Sequence, residues 1–464
     1  MNRYTFLFVG ALGCSGYPVI GTTSSNGGND AIDASGGSGA VDMNTNAGGV
    51  HASGGSSSGT TAGNDFCSGS VATPITHEAG AAIVSDLAVQ LYRTCALVQG
   101  ELECWGFNGA GQLGNGTTTN SCLPVRVQGL TSVTTVALGN SSCAVDSDSA
   151  YCWGDAGYGH TGVGVPSNSL VPLQYQGLTS GVSSVAVGID YACAIINGGV
   201  QCWGHLGWDD QYGNGVTQTM WTLVPTPVPS LTSSVTALAA SWSHTCAIID
   251  GGIQCWGANN DGQLGNGLYR ACEPKVICQP SCTTYPPDHC HDVDAQGRSI
   301  GPDGHANTGP VQVVGLTGVS AVTAGEAHTC AIVAGAAFCW GYNGSGQLGD
   351  GTTEKRSIPT QVQGLTSGVT AISASDLNTC AIVNEAALCW GSNIFGQVGD
   401  GTTTMRLVPT KVPSLTSGVT AIAAGTHACA IVDGVVKCWG DNRYGQLGNG
   451  NTADSSIPVD VIGL

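Results

Sequence analysis

The chain has 464 residues, of which 9% are charged, and its 31 acidic side chains outnumber its 12 basic ones. Because a net charge of -19 repels phosphate backbones, this composition speaks against nucleic acid or chromatin as a partner. The length allows a large buried core, and the 72 glycines predict many turns.

The chain begins like a bacterial lipoprotein signal peptide, here residues 1–13. One arginine precedes a short apolar run, and Gly13 followed by Cys14 fits the cleavage and lipidation position of such signals. Ala11 stands where leucine is usual, so a short secretory signal is the alternative. We expect export and a lipid anchor at Cys14 on the bacterial cell envelope, at the outer membrane or cell surface. A periplasmic or freely secreted protein is the alternative.

Residues 14–66 are rich in glycine, serine, asparagine and threonine. Such a segment buries too little apolar surface to offset the entropy of ordering it, so we predict a disordered tether. The remaining residues, 67–464, carry the repeats described next and are predicted to form one domain.

A cysteine followed by Trp-Gly recurs about every 50 residues, which defines seven units. These cysteines are Cys104, Cys152, Cys202, Cys255, Cys339, Cys389 and Cys438. One interval is 84 residues long, because an insertion at about 268–307 separates units four and five. Self-similarity with this period indicates a propeller or a solenoid.

The clearest unit, Gly418–Gly450, reads as short antiparallel strands without helical periodicity. Thr420–Ala424, Cys429–Val432 and Val435–Trp439 are predicted strands, and Asp433-Gly434 is a signal for a two-residue type I′ hairpin turn. A further short strand opens the next unit, which gives an all-β, seven-bladed β-propeller of four-stranded blades. Unit one lacks that preceding strand and the chain ends with one. We therefore expect the C-terminal strand 457–464 to join the first blade as a clasp.

The motif "HTCAI…CWG.N..GQLG.G" resembles the regulator of chromosome condensation repeat family over about residues 80–464. The resemblance implies a seven-bladed propeller that acts through its surface. Members of the family include exchange factors for small GTPases, a secreted β-lactamase inhibitor and a plant ultraviolet photoreceptor. The photoreceptor role needs a tryptophan before the His-Thr step in several repeats, and here only Trp242 stands there.

Each unit holds two cysteines nine positions apart. The Asp433-Gly434 turn places Cys429 opposite Cys438 in a non-hydrogen-bonded pair, about 4.5 Å apart at Cα, which suits a disulfide. Buried free thiols and metal sites are the alternatives, and two sulfurs per blade leave a metal shell half empty. The expected blade disulfides are Cys95–Cys104, Cys143–Cys152, Cys193–Cys202, Cys246–Cys255, Cys330–Cys339, Cys380–Cys389 and Cys429–Cys438.

Seven of the 21 cysteines lie outside these pairs. Cys14 is the expected lipidation site, and Cys67 and Cys122 bracket the first blade and are expected to form a bridge. Four lie in the insertion, where three connectivities are open: Cys272, Cys278, Cys282 and Cys290. A zinc site with a neighbouring histidine is the alternative, although the spacing matches no common zinc pattern.

The insertion also contains "DVDAQGRSIGPD", which has features of a calcium loop. The candidate ligands at positions one, three, five and twelve are Asp292, Asp294, Gln296 and Asp303. An ordinary Asp/Gly-rich turn is the competing interpretation, because prolines on both sides argue against flanking helices. No other cofactor is expected.

The sequence predicts no catalytic residue, because no nucleophile or metal-protease motif stands outside the repeat. His244, His328 and His427 recur at one repeat position, which indicates a structural hydrogen bond. We expect a non-enzymatic, monomeric, exported propeller that binds a protein partner through its inter-blade loops and the insertion, and contacts a membrane only through its lipid anchor. The alternatives are an exchange-factor-like regulator of a small GTPase, a structural or adhesion protein, and an enzyme with a site in the central channel.

Overall fold

Seven four-stranded antiparallel sheets follow one another along the chain as the blades of a propeller. This computed structural model describes residues 84–157, 167–205, 221–273, 276–278, 282–284, 289–293 and 309–464. Within these residues no helix occurs, so the predicted all-β, seven-bladed fold is confirmed. The predicted signal 1–13 and tether 14–66 lie outside the described residues.

Each blade takes four strands in chain order, from the innermost to the outermost. Blade one contains β1 (Val84–Gln90), β2 (Arg93–Val98), β3 (Glu101–Gly106) and β4 (Ser121–Arg126). Blade two contains β5 (Val133–Leu138), β6 (Ser141–Asp146), β7 (Ser149–Gly154) and β8 (Ser169–Gln174). Blade three contains β9 (Val182–Val187), β10 (Tyr191–Ile196), β11 (Gly199–His205) and β12 (Trp221–Pro227).

Blade four is interrupted by the insertion before its outermost strand. It contains β13 (Val235–Ala240), β14 (His244–Ile249), β15 (Gly252–Gly257) and β20 (Val311–Gln312). The insertion holds two pairs of short strands, β16 (Tyr269–Glu273) with β19 (His289–Val293), and β17 (Val276–Cys278) with β18 (Cys282–Thr284).

The last three blades repeat the pattern without interruption. Blade five contains β21 (Val319–Ala324), β22 (His328–Val333), β23 (Ala336–Gly341) and β24 (Arg356–Gln361). Blade six contains β25 (Val369–Ser375), β26 (Asn378–Val383), β27 (Ala386–Gly391) and β28 (Arg406–Lys411). Blade seven contains β29 (Val419–Ala423), β30 (His427–Val432), β31 (Val435–Gly440) and β32 (Ser455–Asp460).

The predicted hairpin of blade seven is present in the structure. Asp433 and Gly434 have φ angles of 50° and 82°, as a type I′ turn requires at its two central residues. This turn sets the β30–β31 register, in which Cys429 faces Cys438. The same register recurs where the sequence lacks an Asn-Gly or Asp-Gly signal, because Asn384 and Glu385 of blade six also have positive φ angles of 50° and 65°.

The predicted clasp is wrong. β32, which lies within the C-terminal strand 457–464 and extends to Ser455, pairs with β31 of its own blade and places Val459 opposite Cys438. Blade one is completed by its own strand β4, which pairs with β3. The physical reason is that the loop after each Trp-Gly returns the chain antiparallel to the strand it has just left. The strand at the start of each sequence unit is therefore the outermost strand of the preceding blade.

The ring is closed between blades seven and one by a loop contact. Gln446 accepts a hydrogen bond at its carbonyl from the indole nitrogen of Trp105, 2.8 Å away. Gly448, at φ 68°, would place a Cβ 2.8 Å from the same nitrogen, so only glycine permits this approach. The amide of Gly450 donates to the carbonyl of Cys122 in β4 at 3.1 Å.

We call the Gly-Gln-Leu/Val-Gly segments the connector loops: residues 111–114, 262–265, 346–349, 396–399 and 445–448. In each, the glutamine carbonyl binds the tryptophan indole of the next blade. The other pairs are Gln112–Trp153, Gln263–Trp340, Gln347–Trp390 and Gln397–Trp439. The motif that identifies the repeat is therefore a blade-to-blade contact.

The core lies between the blades, as seven clusters that each combine residues of two neighbouring blades. The tryptophan after the second cysteine of every blade is fully buried there. At about 25 cal/mol per Å² of apolar surface, these large rings are major contributors to the stability of the interfaces.

Candidate protein-interaction face

The loops that join the first to the second strand and the third to the fourth strand of every blade lie on the same side of the ring. This follows from antiparallel pairing, because the first and third strands of a blade end on that side. We call this side the loop face. It carries the connector loops, and the insertion begins there because it lies between β15 and β20.

Five side chains on the loop face of blades six, seven and one form what we call the aromatic–arginine cluster: Tyr92, Phe107, Phe395, Arg443 and Tyr444. The Tyr444 ring lies 5.0 Å from Tyr92 and 5.1 Å from Phe107, measured between ring centroids. The Arg443 guanidinium lies 4.8 Å from the Phe395 ring centre and 5.7 Å from that of Tyr92. The rings meet at steep angles, 58° and 68°, and do not stack. Aromatic side chains and arginine are enriched among the residues that dominate binding energy at protein interfaces.

The arginine of this cluster is held in place while it remains accessible. Arg443 is exposed, and its Nε donates to Asp441 Oδ1 at 2.9 Å. Burial would lower the pKa of Arg443, but the hydrogen bond and charge of Asp441 raise it above its ordinary value. The neighbouring Ile394 is 70% exposed and extends the apolar surface at the blade-six edge.

Blades four to six carry acidic groups on the same face. We call Asp261, Glu326 and Asp376 the acidic rim. Burial raises the pKa of all three carboxyl groups, and that of Asp376 rises to about 7. The charge of Asp261 adds to the shift of Glu326, and the charge of Glu326 adds to that of Asp376. Lys355, whose Nζ is 3.7 Å from Asp261, opposes the shift of Asp261.

The central channel encloses about 330 Å³ and is lined by the innermost strands of the seven blades. Its described lining consists of small apolar residues, hydroxyl groups, one glutamine and Trp242. This lining contains no titratable side chain among the described residues, so it offers no acid or base for catalysis.

The three recurrent histidines make the structural hydrogen bond that the sequence predicted. The Nε2 atoms of His244 and His328 lie 2.9 and 3.0 Å from threonine hydroxyls of the following blade, Thr329 and Thr379. His427 makes the equivalent 2.6 Å contact with a threonine of blade one. Burial lowers the pKa of His244 to about 4 and those of His328 and His427 to about 3, so these rings are neutral links between blades.

The paired cysteines of every blade are disulfide-bonded and fully buried. Their Cα atoms are 4.0 to 4.1 Å apart, as directly opposite, non-hydrogen-bonded positions require. Cys122 is also disulfide-bonded, and its expected partner Cys67 lies outside the described residues. Seven blade disulfides indicate folding in an oxidising compartment, which agrees with export.

The backbone register of the insertion strands places its four cysteines opposite one another in two pairs. In β16 and β19 Cys272 faces Cys290, and in β17 and β18 Cys278 faces Cys282. Of the three possible disulfide connectivities, this register favours Cys272–Cys290 with Cys278–Cys282, in which the second pair lies inside the loop closed by the first. Of the calcium candidates, Asp292 lies in β19 opposite Arg270, while Asp294, Gln296 and Asp303 lie outside the described residues. Within the described ranges, no group of three or more histidine, cysteine or acidic side chains is placed to hold a metal ion.

The lipidation candidate Cys14 also lies outside the described residues, so the lipid anchor stays a prediction. The described part of the chain contains no helix with the length and apolarity that a membrane crossing requires.

The sequence analysis did not predict the aromatic–arginine cluster or the acidic rim. Their members lie ahead of the connector loops, in the chain between third and fourth strands, and in the turns between first and second strands, where the repeat carries no signal. An aromatic residue or arginine just before the Gly-Gln step of a unit was the available sign, as in "IFGQ" and "RYGQ".

The fold and this face define a repeat propeller whose loop face presents polar and aromatic side chains. Four stretches, 99–145, 334–382, 386–432 and 433–464, match the family model of the regulator of chromosome condensation (RCC1) repeat. Over these stretches the chain is therefore similar to the RCC1-repeat propellers.

Similar proteins include a guanine nucleotide exchange factor, a receptor and probable E3 ubiquitin-protein ligases. The secretion-regulating guanine nucleotide exchange factor of Mus musculus is 31% identical over 132 residues, which are 28% of this chain and 25% of that protein. The ultraviolet-B receptor UVR8 of Arabidopsis thaliana is 29% identical over 154 residues, covering 28% of this chain and 34% of the receptor. The match thus spans about a quarter to a third of these relatives' lengths.

Solved structures agree on the fold. Prp20p of Saccharomyces cerevisiae, described with its binding to Gsp1p and histones, aligns with a TM-score of 0.59 at 20% identity. The alignment covers 82% of this chain and 87% of Prp20p. Human WBSCR16 aligns with a TM-score of 0.57 at 20% identity over 76% and 86% of the two chains.

Proposed function

We propose that this protein is a non-enzymatic binding propeller, exported and either displayed on the cell envelope or secreted, whose loop face binds a protein partner. The aromatic–arginine cluster carries the proposal. Rings and a guanidinium in mutual contact provide a large anchor with little rotamer entropy to lose on binding. The regulators and receptors among its relatives act in signalling and secretion, which supports a protein as the partner.

Site-specific photocrosslinking in the producing cells tests this proposal. A benzoylphenylalanine at Phe395 should capture one discrete protein. The same residue at Val435, which is exposed on the hairpin side of the ring, is the matched control and should not capture it. With the captured protein purified, Tyr444→Ala should weaken its binding at least tenfold, or about 1.4 kcal/mol, because it removes the ring that joins Tyr92 to Phe107.

Equal capture from Phe395 and Val435, or unchanged affinity of the Tyr444→Ala variant, would contradict the proposal. Nucleotide release from a captured small GTPase would instead favour an exchange factor, the second candidate. That candidate is supported by the resemblance to an exchange factor and opposed by the disulfides, which favour an oxidising compartment over the cytosol where small GTPases act.

We also propose that Cys14 carries the lipid that holds the protein at the envelope. Metabolic labelling with a fatty-acid analogue should label the parent chain, and a Cys14→Ser variant should be released unlabelled. Labelling of the Cys14→Ser variant would rule this site out.

A further inference from the structure

One buried carboxylate at the channel mouth lacks the hydrogen bonds that burial demands. Asp376 directly follows Ser375, which lines the channel, and both of its side-chain oxygens are buried without a well-formed hydrogen bond to any described residue. Its backbone has φ 37°, as the two-residue turn between β25 and β26 requires and as Leu91 has, at φ 29°, in the corresponding turn of blade one. A buried polar group without a well-formed hydrogen bond calls for an explanation, and a ligand that supplies the missing donors is one.

The surroundings of this carboxylate combine an aromatic ring with a second acid. The Trp242 indole is the donor beside it: a hydrogen bond from the indole nitrogen opposes the rise in the pKa of Asp376, but its geometry is poor and leaves the two oxygens short of donors. The amide of Glu326 donates to the carbonyl of Asp376 at 3.3 Å, which ties together the turns of blades five and six. Trp242 also lines the channel, so the same indole contacts both the channel and the acid.

A cationic side chain would satisfy these groups together. Carboxylate oxygens only accept hydrogen bonds, and a guanidinium or ammonium group supplies several donors and a compensating charge. The face of an indole is the best aromatic surface for such a cation. A metal ion fits less well, since the described residues provide no set of three ligands here.

We propose that Trp242, Glu326 and Asp376 form a pocket for one basic side chain of the protein partner. The carboxylate oxygens have no exposed surface, so the indole turns aside as the cation enters and then covers it. Only the source of the side chain rests on the proposed function. The pocket itself can be tested without the partner.

The test is a titration of the protein with N-acetyl-arginine amide at pH 8, followed by the ¹H–¹⁵N signal of the Trp242 indole. A Trp242→Phe variant assigns the signal. N-acetyl-citrulline amide, which has nearly the same shape without the charge, is the matched control ligand. We expect a saturable shift with the arginine amide and none with the citrulline amide.

Two variants locate the binding. Asp376→Asn keeps the size of the side chain and tolerates the left-handed backbone, and it should weaken binding at least tenfold. Glu326→Gln, on the more exposed side of the pocket, should weaken it about threefold. Melting curves confirm that both variants are folded before they are titrated.

Three outcomes would overturn the pocket: no saturable shift, an equal shift with citrulline amide, or an unchanged affinity of folded Asp376→Asn. A saturable shift with millimolar magnesium or calcium chloride that Asp376→Asn abolishes would overturn it in favour of a metal site. None of these results bears on crosslinking from Phe395, which lies in a different group of the loop face.

Discussion

Single hydroxyl groups join neighbouring blades at the residue scale. Thr379 lies 3.0 Å from the imidazole of His328 and donates to the carbonyl of Gln347 at 2.9 Å, so one side chain links a turn of blade five to its connector loop. Blade six has Asn378 where blades four, five and seven have histidine, and the facing residue of blade seven is Ala428, without a hydroxyl. The amide nitrogen of Asn378 accordingly has no hydrogen-bond partner among the described residues.

The buried histidines should make the protein acid-sensitive. The folded-state pKa of His328, about 3, lies below its ordinary value of 6.5. The neutral ring therefore contributes its full stability above pH 6.5, and this stability is lost progressively as the pH falls from 6.5 towards 3. His328→Asn, which copies blade six, removes this dependence. Between pH 7 and pH 5 the parent should lose roughly 1–2 kcal/mol more unfolding free energy than the variant.

Urea unfolding of both proteins at the two pH values measures this difference. Gly325 contacts the His328 ring, and a substitution there would disturb the packing as well, so the histidine is the position to change. Identical pH dependence in parent and variant would show that His328 is protonated without cost.

The hairpin with its disulfide is the stable unit at the element scale. A ten-residue ring adds about 2.5 kcal/mol in the chain-entropy model, and the sulfurs also fill the inter-blade core. The double variant Cys429→Ala/Cys438→Ala should therefore lose roughly 2–4 kcal/mol of unfolding free energy.

Denaturant unfolding measures that loss, and the double variant Cys380→Ala/Cys389→Ala in blade six is the matched control with the same geometry. Equal losses indicate a local role in each blade. No loss in either variant, or free thiols in the unreduced parent, would contradict a stabilising bond.

Local elements were predictable from the sequence, and contacts between elements were not. The Asp433-Gly434 turn, the strands around it and the Cys429–Cys438 register depend on a few neighbouring residues, so the pattern contains them. The partner of β32 was misassigned because the sequence does not show which way the loop after Trp-Gly turns. The aromatic–arginine cluster and Asp376 depend on turns from several blades that meet only in the closed ring.

The ring as a whole is closed by contacts between complete sheets. Thr94 of blade one lies 2.6 Å from His427 of blade seven, and Trp105, Ile431 and Leu447 share one core cluster. Closure therefore uses the same contacts as the other interfaces, and among the described residues no strand of the last blade joins the sheet of the first.

Removal of β32 distinguishes this arrangement from a clasp. A chain ending at residue 452 retains Gly450 and its contact with Cys122, so amide exchange in β4 should rise no more than in β8, its counterpart in blade two. The point variant Val459→Pro, which blocks the pairing of β32 with β31, should give the same result.

Hydrogen-exchange mass spectrometry of the folded variants provides the measurement. Selective exchange in β4, more than about tenfold above that in β8, would mean that the C-terminal strand supports blade one after all.

Because each blade takes all its strands from one continuous stretch of the chain, each blade is a self-contained unit of both sequence and folding. Duplication or loss of one repeat changes the blade number by one and leaves every sheet complete. A circular permutant can start at any blade and keep every sheet intact, provided its new termini lie between the outermost strand of one blade and the innermost strand of the next. The missing clasp thus makes this architecture modular, and an insertion such as the one in blade four can grow without disturbing the other sheets.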